Sequence, residues 1–408
     1  MPKDPAESIF EYLTTKNPKI NRVDNYTKTL TNGRNWLVPK RILPWEDFNF
    51  TTLEKIFKGK LMEELRRGNR NLRYPFPKLD PFTECIETGE DTTTTIMTRW
   101  TRPMIQIALQ AVDDVFSHVS WVASSRVKAA QSRPTTSEPE ESPSRVPPSR
   151  KIKPIQGSSR RKITSRSIPD GGGATPGKQE NRLPCEIKPG CYWTSSKLIN
   201  GELADESGQW RRHPSGCRDA APLLQIFNYC VKCEARYGFL ITSKEVLAVR
   251  IRPKEVPLNP DSEDLIEQLH YQGLMEYKAI SWDNHSTGDD YKELTISLAV
   301  WFLCILAGQD HRPQWNYCAL ADETLAGKAQ SGDVQDTQSL TQASNVDSED
   351  GDLATSSFTT QDTQSTGINH SFTSDGIGIP TPRRVRKRTR AREPPKEENI
   401  KKRRVTKV

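Results

Sequence analysis

Hydrophobic positions recur at helical spacing in FTTLEKIFKGKLMEELRRG, where Leu53, Phe57 and Leu61 fall on one face. The stretch TRPMIQIALQAVDDVFSHV predicts a second helix over 103–118, with Pro103 in its first turn. Further on, KITSRSI and RLPCEIK read as strands joined by a glycine-rich loop, and SSKLINGELADESGQWRRHPSGC as a long polar connection. DAAPLLQIFNYCVKCEA predicts a helix with Asp219 as its N-cap and Pro222 in its first turn. RYGFLITS and EVLAVRI alternate as two strands around a tight turn near Ser243–Lys244. A charged helix (DSEDLIEQLHYQ), a short strand (EYKAISW) and an apolar helix near 293–308 complete the ordered pattern. These elements predict an α/β fold.

That apolar helix, LTISLAVWFLCILAG, is shorter than the roughly 18–20 residues a membrane span needs, so it reads as a buried helix and membrane partners are not expected. The N-terminal stretch MPKDPAESIFEYLTTKN has no apolar centre of the kind a secretory signal carries. With 34% hydrophobic residues and a mean hydropathy of −0.72, part of the chain is expected to be disordered. The divisions read as a helical N-terminal region over 1–122, a disordered Ser/Pro/Arg-rich insertion over 123–162, an ordered core over 163–318 and a disordered tail over 319–408. The tail changes sign along its length. Residues 321–380 hold ten acids against one lysine, whereas 383–408 hold 13 Lys and Arg against three Glu.

Two chemistries compete over SIPDGGGATPGKQENRLPCEIKPG. A phosphate-binding loop fits Gly172, Gly177 and Lys178, but Gln179 stands where a Ser or Thr hydroxyl is needed, and a strand follows instead of a helix. The other chemistry is that of a metal-dependent nuclease. Asp170 and Glu186 could supply two carboxylates to Mg²⁺ or Mn²⁺. Lys188, two positions after Glu186 on a strand, would lie on the same side to orient water or stabilise phosphoryl charge. The tripeptide [D/E]-x-K also occurs at Glu276–Lys278 and Asp290–Lys292, and a second Pro-Asp stands at Pro260–Asp261. Only the first match is followed by a helix and two strands. CVKC, Cys230 to Cys233, with His213 and Cys217 upstream, has poor spacing for zinc on a helical pattern and reads as reduced buried thiols.

Asp170, then Glu186-x-Lys188, then Gln225-x-x-x-Tyr229 on the next helix, resembles the PD-(D/E)XK nuclease superfamily. QxxxY resembles its RecB-like and Cas4-like branch, and QIFNYCVKCEARYGFLITSKEVLAVRI is similar to a group of filamentous-fungal proteins with this core. The resemblance covers about 163–308, with the helix at 103–118 as a possible first core helix. It implies a restriction-endonuclease-like core ordered helix, strands, helix, two strands. It also implies Asp170 and Glu186 as metal ligands, Lys188 as the residue positioning water, and Gln225 and Tyr229 as supports of substrate or metal shell. Glu84, Glu87 and Glu90 are candidates for the upstream glutamate that some members carry.

The basic clusters Arg383–Arg392 and Lys401–Arg404 fit a bipartite nuclear-import signal, carried by Arg383, Arg384, Arg386, Lys387, Arg388, Lys401, Lys402, Arg403 and Arg404. Such clusters also bind phosphates by counterion release. The expectation is a nuclear Mg²⁺-dependent nuclease acting on nucleic acid, DNA before RNA, with an import receptor as partner. The alternative is a catalytically inactive nuclear nucleic-acid-binding or regulatory protein on the same core.

Overall fold

The computed structural model describes residues 6, 8–23, 36–68, 72, 75–123, 168–175, 177–260, 263–286 and 291–325. All of them fall in one compact unit, Met1–Val334. Residues 124–167 and 326–408 lie outside the described residues, and with them nearly all of the insertion, most of KITSRSI and the import clusters, as do Asp261 and Asp290. Residues 319–325, read from sequence as the start of the disordered tail, are instead ordered: Leu320–Asp322 form a 3₁₀ turn and Leu320 is buried in the core. The N-terminal elements are α1 (Ile9–Leu13), β1 (Asn21–Arg22), β2 (Arg41–Pro44), α2 (Phe50–Lys55), α3 (Lys60–Arg66), β3 (Ile86–Glu87), α4 (Glu90–Ile96), α5 (Arg102–Gln110) and β4 (Ser120–Ala123). After the insertion come β5 (Gly171–Ala174), β6 (Cys185–Ile187), α6 (Ser196–Ile199), α7 (Ala221–Lys232), β7 (Tyr237–Ile241), β8 (Glu245–Pro253), α8 (Leu265–Gln272), β9 (Gly273–Ser281) and α9 (Ile296–Gln309).

Among the described residues, seven strands form one mixed sheet in the order β2-β9-β8-β7-β6-β5-β4. β2 runs parallel to β9 and β6 parallel to β7; the other neighbours are antiparallel. The N-terminal region, read from sequence as helical, thus also supplies β2 and β4 to the sheet. Both faces are buried, and strand alternation sorts the side chains between them. Tyr237, Phe239, Ile241, Val246 and Ala248 share a core with α1, α5 and α9. Leu240, Leu247, Val249 and Ile251 share the opposite core with α7 and α8. The fold is α/β, with helices on both faces.

Several elements depart from the sequence reading. The run from Phe50 to Arg66 breaks into α2 and α3, because Phe57 (φ 52°), Lys58 (φ 58°) and Gly59 (φ 81°) turn left-handed between them. That turn buries Phe57, whose ring centroid lies 6.0 Å from that of Phe116. The helix expected at 103–118 begins at Glu90 and regular α5 ends at Gln110. Pro103 therefore sits inside a continuous helical run. It has no N–H for the carbonyl four residues back, and a π turn over Met97–Thr101 precedes it, with the Arg102 N–H reaching the Met97 carbonyl. Asp219 does not cap α7: its carboxylate takes the Lys197 ammonium at 2.6 Å, and Ala220 holds the cap position. α8 is capped by Asp264, whose Oδ1 accepts the N–H groups of Ile266 and Glu267. α9 has 14 residues, and no described helix is long and apolar enough to cross a membrane.

The glycine triplet is itself strand β5, where a loop was expected. It lies between β4 and β6 with both faces filled. A Cβ on Gly172 would stand 2.2 Å from the Asn181 amide oxygen, and one on Gly173 would meet Val119 and Leu183. The triplet answers a packing demand, and it brings Asp170 to the start of β5, beside β6.

Candidate active site at the β5–β6 junction

Sequence alternation sends Cys185 and Ile187 into the α9-side core and turns Glu186, with Lys188 just past the strand end, toward the opposite face. Lys188 Nζ stands 2.5 Å from Glu186 Oε1. The Lys188 N–H continues the parallel ladder by donating to the Ile241 carbonyl at 3.0 Å, which fixes the backbone beneath the pair. Asp170 arrives from β5: its Oδ2 accepts the Ile187 N–H at 2.9 Å, between Glu186 and Lys188 in sequence. The three residues that sequence analysis grouped are brought together.

A fourth joins them. Glu90, in the first turn of α4, accepts a hydrogen bond from Lys188 Nζ at 3.4 Å. Of the three upstream candidates, Glu90 is the one that reaches the site. Glu84 pairs with Arg99 and accepts the Asp80 N–H. Glu87 is fully buried and ties three separate elements together. Its Oε1 accepts Thr93 Oγ1 (2.7 Å) and the Gly190 N–H (2.9 Å), and its Oε2 accepts Ser243 Oγ (2.8 Å). Thr93 is on α4, Gly190 is two residues past Lys188, and Ser243 is in the β7–β8 turn. Glu87 thereby locks the helix carrying Glu90 against the strand end carrying Lys188.

Gln225 and Tyr229 take a positioning role. They are buried one turn apart on α7 and joined by a hydrogen bond from Gln225 Nε2 to Tyr229 Oη at 2.8 Å. Tyr229 Oη donates to the Ile168 carbonyl at 3.1 Å, two residues before Asp170. The QxxxY element thus braces the segment leading into Asp170.

The electrostatics follow from one ammonium among three carboxylates. Burial pushes the Glu186 carboxyl up from 4.5 to about 8; Lys188 draws it back, while Asp170 and Glu90 add to the rise. Burial pulls Lys188 down, but Glu186, Glu90 and Asp170 outweigh it and hold the ammonium above the ordinary lysine range. A carboxyl raised on folding binds its proton more tightly in the folded state than in the unfolded state. Its contribution is therefore fully present below about 4.5 and is lost as pH rises toward 8. The unfolding free energy should fall between pH 5 and 8 by up to about 1.4 kcal/mol per pH unit from this group, and Glu186→Gln should flatten that slope. Denaturant titrations at several pH values measure it; equal slopes in both proteins would remove Glu186 as the source.

The site also bears on a divalent cation. Fully ionised, it carries more negative charge than Lys188 balances, and Glu186 Oε2 is buried with no hydrogen-bond partner among the described residues. Magnesium binds few protein carboxylates and keeps its waters, so Asp170 and Glu186 suit it chemically. No group of three or more His, Cys, Asp or Glu is gathered in metal-ligand geometry among the described residues. Cys230 is buried in α7 and Cys233 at its C-cap. Burial raises both thiols, Cys233 to about 12, which opposes the thiolate a zinc ligand requires.

The second tripeptide match is a structural pair. Glu276 lies opposite Arg250 in the β8–β9 register, with Arg250 Nε at 2.7 Å and Arg252 Nε at 3.1 Å from its two oxygens. No family model, curated protein or solved structure matches the chain.

Proposed function

We propose that this protein is a nuclear, metal-dependent nuclease of the PD-(D/E)XK kind, with a restriction-endonuclease-like core, hydrolysing phosphodiester bonds in nucleic acid, DNA before RNA. The observation that carries this reading is the meeting of Asp170, Glu186, Lys188 and Glu90 at one strand end, braced by Gln225 and Tyr229. Asp170 and Glu186 would hold Mg²⁺ or Mn²⁺, which when bound supplies charge to the phosphate and acidity to a water. Lys188 presents a fixed positive charge to the phosphoryl oxygens as negative charge develops on them. Glu90 shares the Lys188 ammonium and steadies its direction, while Tyr229 fixes Asp170 through the backbone before it. The import clusters at 383–404 support nuclear entry through an import receptor.

The test is cleavage of labelled single- and double-stranded DNA and RNA with Mg²⁺ or Mn²⁺ against a chelator control. Metal-dependent cleavage lost in Asp170→Asn is the expected result. Full-length protein that cuts none of the four substrates with either metal overturns the enzyme, and the inactive nucleic-acid-binding reading replaces it.

A further inference from the structure

Lys16, Lys19 and Arg22 recur every three residues along an exposed ridge whose intervening Asn17 and Ile20 are buried. Such a run is ordinarily a solvated face, but three features set this one apart. First, the ridge is fixed to the end of the sheet. Asn17 Nδ2 donates to the Trp282 carbonyl (2.8 Å), Trp282 Nε1 to the Pro18 carbonyl (2.9 Å), and Trp100 Nε1 to Asn17 Oδ1 (2.8 Å). Its far end is held where Arg22 donates to the Ser243 carbonyl at 2.6 Å. Second, a fourth cation joins it: exposed Lys244 follows Ser243 in the β7–β8 turn, and its carbonyl accepts the Trp282 N–H at 2.7 Å. Lys16, Lys19 and Lys244 are all exposed. Glu87 is buried in its hub, and Glu245, whose carboxylate Lys244 also attracts, is bonded to Ser195; Asp283 stands exposed beside Trp282. Third, the ridge is coupled to the candidate active site. Arg22 Nε lies 3.8 Å from Glu87 Oε2, and Glu87 holds Gly190, two residues past Lys188.

We propose that Lys16, Lys19, Arg22 and Lys244 form a preorganised track for the phosphodiester backbone of a nucleic-acid strand, leading to the Lys188 site. The proposal deepens the nuclease reading and rests on it for the destination of the strand, but binding along the track needs no catalysis. Cations carried on a fixed backbone lose only side-chain freedom on binding phosphate, and each phosphate neutralised steepens the salt dependence of binding. Arg22 is the anchored member, while the three lysines project their charge to solvent.

The experiment measures the affinity of the full chain for a labelled duplex and a labelled single strand across a salt series, with chelator present so that nothing is cut. The variant Lys16→Gln/Lys19→Gln/Lys244→Gln should lower the slope of log affinity against log salt by roughly 2–3, reflecting three lost phosphate contacts. The matched variant Lys55→Gln/Lys58→Gln/Lys60→Gln, exposed lysines of the α2–α3 region, should leave the slope nearly unchanged, and the basic tail contributes equally to all three proteins. An unchanged slope in the first variant overturns the track, as does an equal fall in the second. Loss of slope in a protein that cuts nothing would leave the track standing while removing the nuclease.

Discussion

Replacing Lys188 with Ala should lower turnover in phosphodiester cleavage by roughly 10²–10³-fold, the usual loss when one preorganised donor to developing negative charge is removed. Substrate affinity should change far less, since the ammonium is needed most in the transition state. The structure adds a complication that the tripeptide alone does not show. Lys188 is also the ion-pair partner of buried Glu186 at 2.5 Å. Without it the carboxyl will hold its proton to still higher pH, so the variant should require more metal as well as turn over more slowly. Lys188→Arg separates the two effects: it keeps the charge beside Glu186 but changes the geometry presented to phosphate. Metal requirement near that of the unaltered protein with reduced turnover is the expected pattern for Arg. Full turnover in Lys188→Ala at saturating metal would exclude the lysine from the chemistry.

The second large effect lies outside the site. Glu276→Ala should destabilise the fold by about 3–5 kcal/mol, because it strips the acceptor from a buried arginine. Arg250 and Glu276 side chains are 8% and 10% exposed, and the Arg250 guanidinium stacks 4.7 Å from the Trp45 ring centroid. Asp47, 3.5 Å from Arg250, offers partial replacement and places the expected loss nearer the lower figure. Urea unfolding measures this loss. Cleavage per folded molecule should not change, since Glu276 belongs to β9 and its two oxygens face Arg250 and Arg252. A stable variant would mean that Arg250 is satisfied elsewhere.

Much of the core was legible because its strands and helices carry strong, local signals. RYGFLITS and EVLAVRI alternate between two buried faces, and QIFNYC follows a proline that opens a helix. Asp170, Glu186 and Lys188 were legible as a set, since their spacing within two adjoining strands forces them together. Glu90 was not separable from Glu84 and Glu87, because the helix that carries it begins EDTTTT. A run of β-branched threonines has weak helical preference, and the proline thirteen residues beyond Glu90 suggested a later start. The π turn that admits Pro103 leaves no distinctive spacing in sequence. The glycine triplet misled in the opposite direction: glycines usually mark loops, and only the crowding from Trp121, Asn181 and Val119 shows why a strand needs three. The positioning role of Gln225 and Tyr229 depends on where Ile168 lies, which follows from tertiary packing.

The pairing of β2 with β9 sets a condition on how the chain is made. Arg41–Pro44 lies parallel to Leu274–Tyr277. On the ribosome β2 emerges more than two hundred residues before β9, its neighbour in the sheet. At about 5–20 residues per second, the N-terminal segment waits on the order of 10–50 s, carrying Trp45 and Phe48 that end fully buried. The edge of the sheet therefore closes last, after synthesis has passed β5 and β6, and a nascent chain halted before β9 presents an unpaired strand and two bare aromatic rings. Such a chain is a natural substrate for holding chaperones, and slowing synthesis upstream of Gly273 should lengthen that association.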